Sequence, residues 1–272
     1  MAGKKERQRK LARERLERQQ QRRAQRAHRL QQRAAIGGAA VAVAGIAVGI
    51  VFLFGGFGSG KSVAASPTTT PSATATPTPT QPAEPATRCT YTSNPPASRS
   101  VGEPPTAPVY TATYQATIHT NRGVVVINLL NSKATCTVNS FVYLAGKNYF
   151  NNTQCHRLTT SGIYVLQCGD PTGKGTGGPG YEFGNENTAG ASYPQGTVAM
   201  ANTGAANSNG SQFFLVYKNT SLPASYTPFG TIVAGLDIVE NVAKAGSDNS
   251  NGSGDGHPKE KVVIESVAIK KT

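Results

Sequence analysis

Residues 197–217 read TVAMANTGAANSNGSQFFLVY. Two short apolar runs, TVAMA at 197–201 and SQFFLVY at 211–217, flank a cluster of Gly, Asn, Ala and Ser. Aromatic and β-branched residues bounded by turn formers read as strands. Outward from this stretch the same pattern recurs in YTATYQATI at 110–118, VVVINLL at 124–130, IYVLQ at 163–167 and KVVIESVAI at 261–269. Two segments have helical spacing instead. Val138, Phe141, Val142 and Ala145 follow a Thr-rich start, and Leu236, Val239 and Val242 precede Gly246. The pattern predicts a mainly β domain over 109–272, a closed antiparallel β-barrel with two capping helices.

Upstream, composition changes three times. The chain has 272 residues and a formal net charge of +13, and residues 1–33 hold 13 Lys/Arg against 3 Glu. The charge is concentrated in that arm, which excludes a uniformly basic nucleic-acid-binding domain. No aromatic residue is interleaved with it, so no nucleic-acid partner is expected. Residues 34–60 are uncharged. The apolar run at 34–58 predicts one transmembrane helix of about 36 Å, with the basic arm cytoplasmic and the downstream chain extracytoplasmic. A cleaved signal peptide is the alternative, but the apolar run is longer than the usual signal core. The segment 59–108 holds 11 of the 17 prolines and reads as a disordered Pro/Thr/Ser-rich linker.

The domain has no CxxC pair, Walker loop, GxSxG or strand-linked GxGxxG, so no cofactor or metal is expected. What remains is CHRL at 155–158, VLQCGDPTGKGTGGPGYEF at 165–183, MANTGAANSNGSQFF at 200–214 and YTPFG at 226–230. In this order and spacing the segments resemble the cyclophilin family of peptidyl-prolyl cis/trans isomerases, over about 118–269. The resemblance implies an eight-stranded antiparallel barrel with two helices, acting as a monomeric domain on proline-containing polypeptides.

By that resemblance Arg157 is the catalytic residue, a donor aimed at the prolyl nitrogen. Phe214 is the floor of the proline pocket, with Tyr164, Val165, Leu222 and Tyr226 as walls. Gln167, Gln212, Asn202 and Ala201 contact the peptide backbone, and Gly175 and Thr176 border the adjacent pocket. Alternation along SQFFLV sends Phe213 and Phe214 to opposite faces, and Phe213 and Phe229 read as core. Two positions depart from the family pattern: Ser221 stands where many relatives have Trp, and Tyr226 where they have His. The first implies weak binding of cyclosporin.

Four cysteines outside the cytoplasm imply two disulfides, with three possible connectivities. A strand pair that sets Arg157 near Gln167 brings Cys155 and Cys168 nearly opposite each other, leaving Cys89 for Cys136. The expectation is a single-pass, membrane-anchored isomerase that assists folding of extracytoplasmic proteins. Its rival is a non-catalytic proline-peptide-binding, adhesion or holding-chaperone module.

Overall fold

The structure, a computed structural model, describes residues 85–272. The basic arm, the apolar run at 34–58 and the linker up to residue 84 lie outside the described residues. Among the described residues no helix is long and apolar enough to cross a membrane.

In chain order the elements are β1 (Thr92–Ser93), β2 (Tyr114–Thr120), β3 (Gly123–Leu129), α1 (Thr135–Gly146), β4 (Thr153–Gln154), β5 (Arg157–Thr159) and β6 (Val165–Cys168). There follow β7 (Tyr181–Glu182), β8 (Thr197–Met200), β9 (Phe213–Val216), β10 (Pro228–Ala234), α2 (Leu236–Ala245), β11 (Asp255–Gly256) and β12 (Val263–Lys271).

Hairpin β2–β3 shows how the pattern becomes structure. Ala116, Ile118, Val125, Ile127 and Leu129 are buried while Val124 is exposed, the period of two expected of a half-buried sheet. Only two residues connect the strands, and Gly123 closes the turn at φ 131°, a region that a side chain disfavours. Helix α1 buries Val138, Phe141, Leu144 and Ala145. Phe141 meets Phe150, Phe213 and Phe229 at ring distances of 5.1, 5.5 and 5.3 Å, so the helix plugs one end of the curled sheet with an aromatic cluster.

No local side chain caps α1. Glu186 does so from fifty residues away: its carboxylate accepts the Cys136 N–H at 2.9 Å and the Thr137 N–H at 2.7 Å. A carboxylate there satisfies orphan donors and complements the helix dipole.

The main sheet has ten antiparallel strands in the order β11-β5-β6-β9-β8-β10-β3-β2-β12-β4. This corrects the expected closed barrel of eight strands, because the end strands β11 and β4 are not hydrogen-bonded to each other. The sheet curls until only Cys155 and His156 separate the edge strand β4 from β5, the strand beside the other edge. Cys155 N–H donates to Val262 O on one side, and His156 N–H donates to Gln167 O on the other. Two-residue strands such as β4 and β11 carry no readable alternation, so composition could not register them.

The structure also moves the domain boundary. Residues 85–108, expected as linker, form a strap on the domain: β1 pairs with β7, and a disulfide joins Cys89 to Cys136. Arg99 Nη1 donates to the carbonyls of Asn148, Tyr149 and Asn151 at 2.9, 2.7 and 3.1 Å. Prolines remove donors only at their own positions. The N–H groups of Asn94 and Ser98, on either side of Pro95 and Pro96, still reach the carbonyls of Gly180 and Gly178.

Candidate active site

Register places one row of residues across four strands. Arg157 on β5 pairs with Gln167 on β6, Gln167 with Phe214 on β9, and Phe214 with Ala199 on β8. Directly opposed residues share a sheet face, so a cation, an amide and an aromatic ring line up on the side away from the main core. Phe213, one residue earlier, points into that core.

Around Phe214 lies a second apolar cluster with Val165, Tyr193, Ala199 and Val216, edged by the partly buried Ile163, Ala201, Leu222 and Tyr226. Tyr226 meets Phe214 edge to face at 5.6 Å. Tyr193 holds this wall in place, its one hydroxyl proton shared between the carbonyls of Tyr226 at 2.8 Å and Pro223 at 3.1 Å while its oxygen accepts the Tyr226 N–H. Tyr164 is not part of the cluster and corrects the expected wall. It packs on the main core beside Tyr217, with Lys218 Nζ 4.6 Å from its ring centre. Ile163 lies at the edge of the cluster instead, on the face shared with Val165 and Gln167 by the period of two. Ser221, beside Leu222, is exposed.

A directed chain of hydrogen bonds crosses the face. Arg157 Nη1 donates to Gln167 Oε1 at 3.4 Å, Gln167 Nε2 to Gln212 Oε1 at 2.9 Å, and Gln212 Nε2 to Gly177 O at 2.9 Å. The other edge of the guanidinium is held by Asp255, with Nε to Oδ1 at 2.8 Å and Nη2 to Oδ2 at 2.6 Å. These bonds raise the Arg157 pKa against the effect of burial and hold the Asp255 carboxyl below its ordinary value. Sequence reasoning missed Asp255. It lies 98 residues from Arg157, in a Gly, Asn and Ser loop with no motif to mark it.

Asp170 shapes the glycine loop. Fully buried, its carboxylate accepts the N–H groups of Thr172, Lys174, Thr176 and Gly177 and the Thr172 hydroxyl. Burial works to raise its pKa, but the bonds from the Thr172 hydroxyl and the Gly177 N–H outweigh it, so the group stays ionised below the usual carboxylate range. The loop leaves Gly175 and Thr176 exposed at the rim of a cleft of about 550 Å³. Gln167, Ala201, Asn202 and Gln212 line this cleft, and Asn94, Pro95 and Pro96 of the strap form its outer wall. Asn202 is anchored by donating to Ser225 O at 2.9 Å.

The second disulfide joins Cys155 to Cys168, and no cysteine is free. Among the described residues no group of His, Cys, Asp and Glu is arranged to hold a metal ion.

Comparison with known proteins agrees with this geometry. The family model described as cyclophilin type peptidyl-prolyl cis-trans isomerase/CLD matches residues 115–269. The chain is 46% identical over 198 residues to the probable peptidyl-prolyl cis-trans isomerase B of Mycobacterium leprae, covering 66% of each protein. It is also 46% identical over 198 residues to the protein of that description in Mycobacterium tuberculosis H37Rv, covering 66% of this chain and 63% of the relative. The match thus spans slightly less than two thirds of these relatives' length. Among solved structures, a cyclophilin type peptidyl-prolyl cis-trans isomerase of Cryptosporidium parvum superposes with a TM-score of 0.51 at 30% identity, covering 59% of this chain and 99% of that one. A second structure of that protein, in the presence of the dipeptide Ala-Pro, gives 0.50 with 58% and 99% covered. On sequence and fold together, the chain belongs to the cyclophilin-type peptidyl-prolyl cis-trans isomerase family.

Proposed function

We propose that this protein is a peptidyl-prolyl cis/trans isomerase acting on X-Pro bonds of extracytoplasmic polypeptides. The observation that carries the reading is the row of Arg157, Gln167 and Phe214, which sets a fixed cation on the same sheet face as the apolar cluster around Phe214.

Rotation about an X-Pro bond has a barrier of about 18–20 kcal/mol, because twisting breaks amide resonance. At the twisted state the prolyl nitrogen regains its lone pair and accepts a hydrogen bond that neither planar state offers. A donor held at that point stabilises the transition state selectively. In this reading the ring sits on Phe214 between Val165, Leu222 and Tyr226, and Arg157 presents an N–H to the nitrogen. Gln167, Gln212, Ala201 and Asn202 hold the flanking backbone. Residues before the proline run into the cleft between Gly175–Thr176 and the strap. No nucleophile or cofactor enters the reaction.

Membrane placement belongs to the same proposal. Residues 34–58 anchor the chain, 1–33 stay in the cytoplasm, and the folded domain lies outside. Supporting this are the uncharged run, the charge asymmetry around it and the pairing of all four cysteines, since disulfides persist in oxidising compartments.

The test has two arms. A protease-coupled isomerisation assay on the purified full chain should show turnover of an Ala-Pro peptide, and its absence would leave only a proline-peptide binder. Protease added to intact cells should cut between residues 59 and 84 and release an active domain. Cleavage of the basic arm from outside, with the domain shielded, would reverse the orientation.

A further inference from the structure

We infer that Asp255 is a positioning residue for the isomerase reaction, setting the plane and reach of the Arg157 guanidinium. This rests on the isomerase reading above and adds a residue to it.

The contact is side-on and bidentate, pairing Nε with Oδ1 and Nη2 with Oδ2. Such a fork removes rotation about the last side-chain bonds of an arginine, which a single hydrogen bond does not. It also engages the edge turned away from Gln167, leaving Nη1, which donates to Gln167, and the second proton of Nη2 outside the fork. Without Asp255, the only side-chain partner of the guanidinium among the described residues is Gln167, at a long 3.4 Å.

The carboxylate is itself fixed. Asp255 pairs with Thr159 and Gly256 with Leu158, extending the sheet beside the catalytic strand. Asn251 donates to Asp255 Oδ1 at 3.2 Å, and the Asp255 and Asn251 backbones close a tight turn. Gly254 stands at φ 74° with Ser161 so close that a Cβ would lie 2.7 Å from the serine Cβ. A Cβ on Gly256 would lie 2.1 Å from Asp248 Oδ1, which accepts the N–H groups of Ser250 and His257. Pairing with β5 and these close approaches to Ser161 and within the loop hold Asp255 in place beside the strand of Arg157. An ion pair as exposed as this one adds little to stability, with side chains 35% and 26% exposed. Its consequence falls on geometry, because a donor misplaced by an ångström loses most of its transition-state advantage.

The experiment uses the purified full chain and four variants: Asp255→Ala, Asp255→Glu, Arg157→Ala and the double variant Arg157→Ala/Asp255→Ala. Asp255→Ala should lower kcat about 5- to 10-fold with KM changed less than about 2-fold and little change in Tm. Asp255→Glu should recover at least half of the loss. The double variant should match Arg157→Ala alone. Independently of turnover, the Arg157 Nε–H signal in nitrogen-15 NMR should be sharp in the wild type and broadened in Asp255→Ala. Unchanged or raised kcat in Asp255→Ala, or a further loss on adding it to Arg157→Ala, would overturn the positioning role while leaving the isomerase reading intact. A wild-type chain without turnover would overturn both.

Discussion

Arg157 stands directly opposite Gln167 across strands β5 and β6, and its Nη1 donates to the Gln167 side-chain oxygen at 3.4 Å. In the proposed mechanism Gln167 steadies the edge of the guanidinium that meets substrate. Arg157→Ala should lower kcat/KM by at least about 100-fold, the scale of losing a preorganised donor worth about 3 kcal/mol. Peptide binding measured by titration should largely persist. Wild-type-like turnover would remove Arg157 from the mechanism.

Phe213 and Phe214 are adjacent in sequence but belong to different clusters, one in the core beneath α1 and the other in the pocket. Phe213→Ala should cost about 3–5 kcal/mol of folding stability through the cavity it leaves. Phe214→Ala should act chiefly on KM for proline peptides. Thermal melts beside steady-state kinetics separate the two effects, and equal losses of Tm with unchanged KM would argue against the pocket.

The Cys89–Cys136 bond closes a separation of 47 residues and ties down the strap that walls the cleft. Replacing both cysteines by serine should destabilise the domain by about 4 kcal/mol, largely by relaxing the unfolded chain. The kinetic signature should be a raised KM for peptides with several residues before the proline and a smaller change for short ones. Identical KM ratios across that peptide series would show that the strap is not part of the groove.

Ser221 is exposed and precedes Leu222, which packs against the Phe214 cluster. A hydroxymethyl group offers neither the area nor the indole donor of a tryptophan. Cyclosporin inhibition should be weak in the wild type and stronger in Ser221→Trp. Nanomolar inhibition of the unmodified protein would contradict the assignment of this loop.

His156 is buried, and burial lowers its pKa from 6.5 despite the opposing field of Asp170. The sign follows from linkage. Below pH 6.5 the unfolded chain takes up a proton that the folded imidazole refuses, so stability is complete above about pH 6.5 and declines as pH falls toward the folded value. Asp170, buried and held below the ordinary carboxylate value of 3.8, adds a separate loss that sets in only in more acidic solution. Tm against pH should show both limbs, with His156→Gln flattening the upper one. An upper limb unchanged in that variant would assign it to another group.

Much of the site was legible from local order. Alternation alone separates Phe213 from Phe214, because successive side chains of a strand point to opposite faces. It also favours Ile163 over Tyr164, although the family resemblance pointed to the tyrosine.

The strand-rich domain, its two helices and the segment order that marks the family were readable in the residues alone, since these rest on periodicity and on residue types at short spacing. Which distant groups serve them follows from the folded chain. Asp255 reaches Arg157 across 98 residues, Glu186 caps a helix from fifty residues away, and the proline-rich strap becomes a wall of the cleft. Each of these depends on where the curled sheet brings separate loops together, and a carboxylate in a polar loop reads the same whether it faces water or a guanidinium.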